Sequence, residues 1–495
     1  MNQLTKNTTA LSVAGVVSKI FGAVYKFSLI KILTQEGLGI YSITYPIFAI
    51  FLILGTSSLP LGISKYVSKY YGNVKLKQIL TLSIIISGIG SIILYIFAKK
   101  IAILQGHIEY IKLYYTMLPI IVMSFVLGSF KGYFQGIEQM KIVAKSQIIE
   151  QLLKIVFGIL LCVMLPQKDL IFKVMMLFVG IGVGEFFTII WLYVVYKKRE
   201  HTTNGSYKEL LKTITPICIT TIILPLSQTI ISIIILPLIN YFNLTFATKI
   251  YGIASGMVSS IVSIPLIITS SLSVAILPNI SKNGNSTKEN VSKSIEMVFI
   301  FSTLFVIIFS MFASEISNTL INVFKIGDID ENVLANLFKF SSFTIFFSSF
   351  LQVLNSILSG IGKSYNSAMC IFVGAFIKII LVAVLSRIQE INIYSIFLAE
   401  SVGYGVCVIM QLLFLRKYNM YKLDVKNALI KPTIINCSII MTINLLKRIL
   451  DITFLTTIIK GVAFILVGGI FYLICYLPKI KLIKKNKTTQ IKSVK

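Results

Sequence analysis

Apolar segments of about 20 residues follow one another along almost the whole chain, and this pattern constrains the fold more than any other feature. A helix needs about 20 mostly apolar residues to cross the hydrocarbon core of a bilayer. Fourteen such segments are present, separated by shorter polar connections. Charged residues make up 13% of the chain, whereas soluble domains carry about 25%. The sequence therefore predicts an all-α, polytopic membrane protein.

The predicted spans form two sets of six and a final pair. The first six cover residues 9–32, 41–63, 78–98, 111–134, 142–165 and 171–196. Six more cover residues 210–237, 250–278, 293–316, 334–358, 366–387 and 392–415. The last two cover residues 427–449 and 453–477. Two equal sets predict two six-helix lobes, to which the last pair of helices is added.

Polar stretches mark the predicted domain boundaries. Residues 1–196 form the N-lobe, and the charged run 197–209 (KKREHTTNGSYKE) is a cytoplasmic linker. Residues 210–415 form the C-lobe, and residues 416–478 hold the last two helices. The remaining residues, 479–495, contain seven Lys and no acidic residue, which is typical of a solvated basic tail.

A weak internal repeat relates the two sets of six. Residues 136–154 and 360–378 align without a gap at an offset of 224 residues, so that Lys154 falls on Lys378. Because six is an even number of spans, both halves have the same orientation in the membrane. The repeat predicts two pseudo-symmetric lobes related by an axis along the membrane normal, an arrangement in which many secondary transporters hold a cavity between the lobes.

The excess of basic residues follows the predicted topology. The chain has 46 Lys and Arg residues against 18 Asp and Glu residues, and only four of the 46 are Arg. If the N-terminus is cytoplasmic, 29 basic residues lie on cytoplasmic segments and 11 on the opposite side. This asymmetry predicts a multi-pass protein of the cell membrane with both termini in the cytoplasm. It also explains the net charge without a nucleic-acid partner, for which few Arg residues are present.

Residues that usually hold metals or carry out catalysis are few and dispersed. The six cysteines lie singly inside apolar segments, and His107 and His201 are 94 residues apart. We therefore expect no metal site, no cofactor and no catalytic triad. An enzyme acting on lipids in the membrane would need clustered acids at a membrane face. The nearest acidic cluster, at 328–331, is better explained as a solvated loop beside Lys325.

The first predicted span carries a stripe of small, polar and cationic residues on one helical face. The stripe consists of Thr8, Ser12, Gly15, Lys19, Gly22 and Lys26. A charge inside a span costs about 2.5–3.5 kcal/mol on insertion scales and by default faces water or a partner. We interpret the stripe as a cavity wall that binds an anionic group such as a lipid pyrophosphate. The alternative is that the glycines pack a neighbouring helix and both lysines extend to the membrane interface.

The fifth predicted span has a polar face. Its members are Gln147, Glu150, Gln151 and Lys154. Glu150 and Lys154 are four residues apart, in the order that favours an ion pair within one helix. The face is therefore either self-neutralised or part of a substrate-binding wall. We take Gln147, Glu150 and Lys154, with Lys19 and Lys26, as candidate substrate-binding residues.

Three further charges lie inside predicted spans. Glu185, in the sixth span, has no obvious partner nearby in the sequence, so it is a candidate for coupling transport to an ion, or for pairing with Lys26 across the bundle. Lys378 and Glu400 each lie about two turns from a helix end, so we expect both side chains to extend to the membrane surface.

The seventh predicted span contains Pro216, Pro225 and Pro237. Each proline removes a backbone hydrogen bond, so we expect a bent helix at the start of the second half. The bend is either a hinge for transport or a static kink.

Three blocks of the sequence resemble one known family. They are YKFSLIKILTQEGLGIYSITYPIFAIFLILGTSSLPLGISKYVSKYYG (25–72), YFQGIEQMKIVAKSQIIEQLLKIVFGILL (133–161) and YGIASGMVSSIVSIPLIITSSLSVAILPNIS (251–281). They resemble the stage V sporulation protein B family, which belongs to the multidrug/oligosaccharidyl-lipid/polysaccharide exporter superfamily. The second block is the most specific, and the resemblance extends over essentially the whole chain.

The resemblance implies two six-helix lobes that work by alternating access. The implied activity is flipping of an undecaprenyl-linked saccharide from the inner to the outer leaflet, and for the sporulation branch the saccharide is a cell-wall or spore-cortex precursor. The implied partners are a lipid of the undecaprenyl pyrophosphate type and membrane lipids, whereas the oligomeric state stays open. The last two helices fit a groove for the long lipid tail.

Related lipid II flippases have cavity-facing arginines in their first, second and eighth helices. The corresponding positions in this chain are Lys19 and Lys26, positions near Ile50 and Phe51, and positions near Ser259 and Ser260. Only the first helix matches by charge. By this resemblance, either the substrate is not lipid II or a different set of cations holds its pyrophosphate.

A cation-coupled multidrug exporter of the same superfamily is the alternative function. Such exporters generally bind Na⁺ or H⁺ at an acidic residue of the first lobe. The first predicted span has two lysines and no acid, so Glu150 and Glu185 are the residues that keep this alternative open.

Overall fold

The structure, a computed structural model, consists of helices. It describes residues 3–70, 74–164, 169–196, 206–239, 244–270, 287–324 and 330–418, together with residues 273 and 436. Across those residues the regular elements are helical and no β-strand occurs, as predicted. The predicted last two spans, the basic tail and most of the linker lie outside the described residues.

The first half contains six long helices that agree closely with the predicted spans. They are α1 (Gln3–Ile32), α2 (Gln35–Lys69), α3 (Leu76–Leu104), α4 (Ile111–Gly136), α5 (Met140–Val163) and α6 (Leu170–Val195). Within α2, residues Leu54–Ser58 form one π-helical turn. We refer to α1–α6 as the N-lobe.

The second half repeats this series with one addition. Its helices are α7 (Tyr207–Ile239), α8 (from Leu244 to Val262), α9 (Thr287–Met311), α10 (Ala313–Phe324), α11 (Glu331–Gly360), α12 (Ser364–Leu385) and α13 (Ser395–Lys417). The predicted ninth span was wrong at its end, because α9 stops at Met311 and the separate amphipathic helix α10 follows. We refer to α7–α13 as the C-lobe.

The lengths and composition of these helices confirm a multi-pass membrane protein. Among the described residues, ten helices are long and apolar enough to cross a membrane, and α8 together with its continuation provides up to one more. The ten are α2–α7, α9 and α11–α13. The apolar side chains that remain exposed on them, such as Ile92 and Phe372, are accounted for by contact with lipid.

The turn between α4 and α5 is repeated in the turn between α11 and α12. Glu138 has a φ of 63°, and Gly362, which lies 224 positions later, has a φ of 77°. Helices α4 and α11 end at Gly136 and Gly360, again 224 positions apart. In both turns three backbone amides donate to carbonyls at the same relative positions, which closes the end of the preceding helix. The internal repeat is therefore present in the backbone as well as in the sequence.

Helix packing follows the same repeat. In the N-lobe, α5 packs on α1 and α6, α6 packs on α4, and α3 packs on α4. In the C-lobe, α12 packs on α7 and α13, α13 packs on α11, and α9 packs on α11. These matched pairs confirm two pseudo-symmetric helical lobes.

Helix α8 is broken, whereas the proline-rich α7 is continuous. Helix α7 continues unbroken from Tyr207 to Ile239 through its three prolines. Helix α8 instead turns by 44° between Phe246–Val262 and its continuation Ile264–Ser270. Pro265 explains the position of this bend, because proline lacks an N–H and its ring clashes with the carbonyl one turn earlier.

Two glycines with no neighbouring atoms at the Cβ position test whether the positive φ of the repeated turn requires glycine. A methyl group added at Gly362 or at Gly88 meets nothing within 4 Å, but only Gly362 has a positive φ. We expect Gly362→Ala to lower the free energy of unfolding by about 1 kcal/mol, because an L-residue is strained in the left-handed region.

Gly88 lies inside the regular helix α3, so Gly88→Ala is the matched control. We expect it to leave the stability unchanged or to raise it slightly, because alanine favours a helix. The thermal unfolding midpoints of both variants in detergent check this prediction. Equal shifts in the same direction would contradict it.

Candidate functional site

A cavity of about 710 Å³ lies between the two lobes. Helices α1, α2 and α5 line it from the N-lobe, and helices α7, α8 and α11 line it from the C-lobe. The stripe predicted on the first span faces this cavity, because Lys19, Gly22 and Lys26 are all part of its wall. The side chains of Thr8 and Ser12 lie outside the described part of the chain.

Three lysines give the N-lobe wall a positive charge. Lys19 and Lys26 come from α1, and Lys154 comes from α5. The charges of Lys26 and Lys154 are close enough to repel each other. In the part of the cavity wall that the structure describes, no Asp or Glu faces these lysines. Such a wall attracts an anion, because nothing else in it compensates the charge.

Close packing of α5 explains how Lys154 reaches the cavity. A methyl group added at Gly184 of α6 would lie 2.9 Å from the backbone nitrogen of Lys154, so α6 supports α5 without an intervening side chain. The ammonium of Lys154 lies 5.4 Å from the centre of the Tyr25 ring of α1. The ring face holds the charge beside the cavity by a cation–π contact.

Glu150 does not pair with Lys154. Its carboxylate accepts a hydrogen bond from the ammonium of Lys131 in α4, and both side chains are nearly buried. The proposed ion pair within α5 was therefore wrong. The sequence signal for the true pairing was the presence of a second charge, Lys131, in the preceding span, but hydrophobic periodicity does not specify which helices meet. As a result, Lys154 is left to face the cavity.

Glu185 lies inside the N-lobe rather than on the cavity wall. Its side chain is 1% exposed, and the Ser124 hydroxyl of α4 lies 2.8 Å from both carboxylate oxygens and donates to the carboxylate. It therefore bonds to Ser124 and not to Lys26. The charges of Glu150, Lys131 and Lys154 act on it. We call Lys131, Glu150, Lys154 and Glu185 the N-lobe charge cluster.

Gln147 lies on α5, two turns before Lys154, and does not line the cavity. Its side-chain oxygen is buried and has no hydrogen-bond partner among the described residues. The structure therefore brings together Lys19, Lys26 and Lys154 of the predicted site residues. It places Gln147, Glu150 and Glu185 beside that group, within the N-lobe.

The C-lobe wall contains, among apolar residues, a set of uncharged polar residues that sequence analysis largely missed. They are Gln228 of α7, Ser255, Ser259, Ser260 and Ser263 of α8 and its bend, and Gln352 of α11. The signal was present as a cluster of serines in an otherwise apolar span. Without a structure, such serines are equally well explained by helix packing.

Lys378 and Glu400 form a buried ion pair at 2.7 Å. The Lys378 side chain is 1% exposed, so the expectation that both side chains extend to the membrane surface was wrong. Gln228 also donates to the Glu400 carboxylate, at 3.4 Å, which links the pair to the cavity. Lys378 is the repeat counterpart of Lys154, and the two lysines differ because, among the described residues, Lys378 has a carboxylate partner and Lys154 has none.

The backbones of α2 and α8 touch beside one end of the cavity. A methyl group at Gly39 would lie 2.1 Å from the carbonyl oxygen of Thr248, and one at Gly252 would lie 2.4 Å from the nitrogen of Gly39. The His107 ring nitrogen lies 3.3 Å from the Thr248 hydroxyl oxygen. Burial lowers the pKa of His107, which favours the neutral ring. The lobes are therefore closed at this end.

Helices α2 and α7 hold the lobes together along their length. Thr229 donates to the carbonyl of Pro46, and the hydroxyl groups of Ser58 and Thr221 bond to each other. Near the far end of α2, the Glu209 carboxylate of α7 accepts hydrogen bonds from Lys69 and Tyr70. This end of the interface is held by exposed polar contacts.

The Lys131–Glu150 pair allows a direct test of the N-lobe charge cluster. We expect Glu150→Gln to lower the free energy of unfolding by about 3 kcal/mol, because Lys131 is left buried without its counter-ion. The double variant Lys131→Met/Glu150→Gln is expected to recover much of that loss. Thermal unfolding of the purified variants provides the measurement.

The exposed pair of Lys69 and Glu209 is the matched control, since the Lys69 side chain is 65% exposed. We expect Glu209→Gln to change the unfolding midpoint little, because water already solvates both charges. Equal effects of Glu150→Gln and Glu209→Gln would contradict the burial argument.

Comparison with protein families gives a match over more than half of the chain. The polysaccharide biosynthesis protein family matches residues 4–284. Stage V sporulation protein B of Bacillus subtilis (strain 168) is 26% identical over 467 residues, covering 88% of this chain and 88% of the relative. Lipid II flippase MurJ of the same strain is 23% identical over 495 residues, covering 88% of this chain and 86% of the relative.

Solved structures share the fold. A structure of lipid II flippase MurJ in an inward closed conformation matches with a TM-score of 0.71 at 16% identity, covering 95% of this chain and 99% of that one. An inward-facing multidrug resistance MATE family transporter matches with a TM-score of 0.67 at 13% identity, covering 81% and 94%. The resemblance to the stage V sporulation protein B family is thus confirmed, and the chain belongs to the polysaccharide biosynthesis protein family, with a fold shared by MurJ and MATE transporters.

Proposed function

We propose that this protein is a secondary transporter that flips an undecaprenyl-linked saccharide from the inner to the outer leaflet by alternating access. The saccharide is a peptidoglycan or spore-cortex precursor or a polysaccharide unit. The observation that carries the proposal is the cavity between the lobes with three lysines and, among the described residues, no carboxylate in its wall. Its relatives include a protein named as a lipid II flippase and one named for sporulation, which supports a transporter rather than an enzyme.

The charge of the cavity suits a lipid pyrophosphate. A pyrophosphate that joins a lipid to a sugar carries about two negative charges, and ammonium groups bind phosphate oxygens by charge-assisted hydrogen bonds. Lys19, Lys26 and Lys154 provide three such groups around one space. In this proposal Lys154 takes the place of the missing cations on the second and eighth helices.

The N-lobe charge cluster supports Glu185 as the coupling residue. Lys154 belongs to both the cavity wall and the cluster, so a phosphate bound to Lys154 weakens the positive field at Glu150 and Glu185. Binding of substrate and binding of a proton at Glu185 are then linked through one lysine. At the matched position of the C-lobe, Lys378 is instead neutralised by Glu400.

A cation-coupled multidrug exporter is the second candidate, because a MATE transporter shares the fold. The cavity chemistry opposes it, since three lysines repel an organic cation. An efflux assay with organic cations separates the two. Export that needs Glu185 and persists in a Lys19→Ala/Lys26→Ala variant would favour the exporter.

Growth of cells depleted of their essential lipid II flippase tests the role of the α1 lysines. We expect the wild-type chain to restore growth and Lys19→Ala/Lys26→Ala to fail, because the loss of two charge-assisted hydrogen bonds weakens pyrophosphate binding by about 100-fold. Complementation at matched expression in the membrane is the measurement.

The matched control is Lys99→Ala/Lys100→Ala, which removes two exposed lysines of α3 that lie outside the cavity. We expect this variant to restore growth like the wild type. If both double variants restore growth, the α1 lysines are not needed to bind the substrate. Failure of the wild type, with the protein present in the membrane, would point to another lipid-linked glycan or to the exporter.

We further propose that the protein lies in the cell membrane with both termini in the cytoplasm, which the distribution of basic residues supports. Reporter fusions test this topology. Fusions after residue 69 and at the C-terminus are expected to be active only with a cytoplasmic reporter, and a fusion after Gly106 only with an extracytoplasmic one. The reverse pattern would show that both termini lie outside the cytoplasm and would contradict the proposed orientation.

A further inference from the structure

The two walls of the cavity differ in chemistry. All three lysines come from the N-lobe. The C-lobe wall has hydroxyl and amide groups, and no charged residue of the described C-lobe lines the cavity. A ligand that fills the space therefore meets positive charge on one side and neutral hydrogen-bonding groups on the other.

The neutrality of the C-lobe wall arises from ion pairing. The counterpart of Lys154 in the repeat is Lys378, and its ammonium lies 2.7 Å from the Glu400 carboxylate instead of in the cavity. Gln228 stands between this pair and the cavity, because it contacts Glu400 and also lines the space. The charge that the repeat would place in the C-lobe wall is thereby cancelled.

The two glutamines present complementary hydrogen-bonding atoms. Gln228 uses its amide nitrogen to donate to Glu400 at 3.4 Å, which leaves its oxygen to accept. Gln352 uses its oxygen to accept from Thr269 at 3.3 Å, which leaves its nitrogen to donate. A sugar hydroxyl both donates and accepts, so one saccharide satisfies both groups.

The serines of α8 add acceptors to this wall. Ser259 donates to the carbonyl of Ala254 at 3.1 Å, and Ser263 donates to the carbonyl of Ser260 at 2.7 Å. Ser260 donates to the carbonyl of Gly256. Since each hydroxyl proton is used within α8, each oxygen keeps lone pairs that accept hydrogen bonds from a ligand.

We propose that the C-lobe wall, formed by Gln228, Ser255, Ser259, Ser260, Ser263 and Gln352, is a subsite for an uncharged saccharide. This inference rests on the proposed function, and it assigns the pyrophosphate to the N-lobe wall and the sugar to the C-lobe wall. The substrate therefore lies across the interface between the lobes. Its two ends are held by different lobes, so the relative movement of the lobes acts on the headgroup itself.

Other parts of a lipid-linked substrate fit this wall less well. A polyprenyl tail would leave its amide and hydroxyl groups without partners, at a cost of about 1–3 kcal/mol for each buried group. A carboxylate would find cations only on the N-lobe wall, where it competes with the pyrophosphate. An uncharged sugar with many hydroxyl groups satisfies the polar groups of the wall and needs no cation.

Binding of two lipids that differ only by the sugar tests the subsite. The probes are undecaprenyl pyrophosphate and the same lipid carrying one N-acetylglucosamine, with dissociation constants measured on the full chain in nanodiscs by native mass spectrometry. We expect the wild type to bind the sugar-bearing lipid about tenfold more tightly, which corresponds to one or two net hydrogen bonds. Gln352→Leu and Ser259→Ala/Ser260→Ala are each expected to remove most of that preference.

The bare pyrophosphate lipid distinguishes a sugar subsite from a structural role. We expect both variants to bind it within about twofold of the wild type, whereas Lys19→Ala/Lys26→Ala weakens binding of both lipids. The control is Thr81→Ala/Thr215→Ala, because these exposed threonines also donate to their own helices. It is expected to keep the full preference.

Three outcomes would contradict these assignments. An unchanged sugar preference in the Gln352 and serine variants would overturn the subsite. Equally weakened binding of both lipids to those variants would also overturn it, because the residues would then shape the cavity without contacting the sugar. Absence of binding of either lipid to the wild type would overturn the proposed function itself.

Discussion

Positive charge that faces a membrane-embedded cavity, with no carboxylate in the described part of the cavity wall, is the constraint on which this structure depends. Charges inside a membrane protein are retained when they pair with one another or when they face a pathway. Among the charges inside the described spans, Lys131, Glu150, Lys378 and Glu400 follow the first rule. Lys19, Lys26 and Lys154 follow the second, because they line the space between the lobes. The distribution of ion pairs thus determines where an anion binds.

The two lobes share their backbone arrangement and helix packing but differ in the charge on their cavity walls. The turns after α4 and α11 have the same backbone hydrogen bonds and the same helix ends, and the lobes pack their helices in the same order. At the matched positions Lys154 and Lys378, however, only the second lysine is neutralised. The same backbone arrangement therefore has a charged wall in one lobe and a neutral wall in the other, which together suit a headgroup that joins an anionic pyrophosphate to an uncharged sugar.

Hydrophobic segments alone predicted the type and approximate ends of the helices up to α13, except for the additional helix α10, because the bilayer sets the length and composition of the spans. The repeat was also visible, since Gly136 and Gly360 recur at the same offset. The end of α9 was wrong because α10 continues the apolar pattern across a break. The break in α8 beside Pro265 was not predicted, and α7 continues as one helix through its three prolines.

The sequence predicted the cationic part of the site but not its ion pairs or its neutral wall. The spacing of Lys19 and Lys26 identified a helical face, and the structure places that face on the cavity. The partner of Glu150 was missed because the choice between Lys154 and Lys131 depends on how α4 meets α5, and sequence periodicity does not specify contacts between helices. The neutral wall was missed because serine and glutamine in a span can either pack against a neighbouring helix or line a cavity. Only the position of the cavity in the structure distinguishes these two roles.

Movement of a lipid-linked sugar across a membrane by the purified protein tests the central claim most directly. The measurement uses proteoliposomes that contain a fluorescent undecaprenyl-pyrophosphoryl sugar and reports the fraction of dye that an impermeant reductant reaches over time. The account predicts rapid exchange between leaflets with the wild type and none above protein-free vesicles with Lys19→Ala/Lys26→Ala/Lys154→Ala. Equal exchange with both proteins would contradict a cationic cavity as the route of transport.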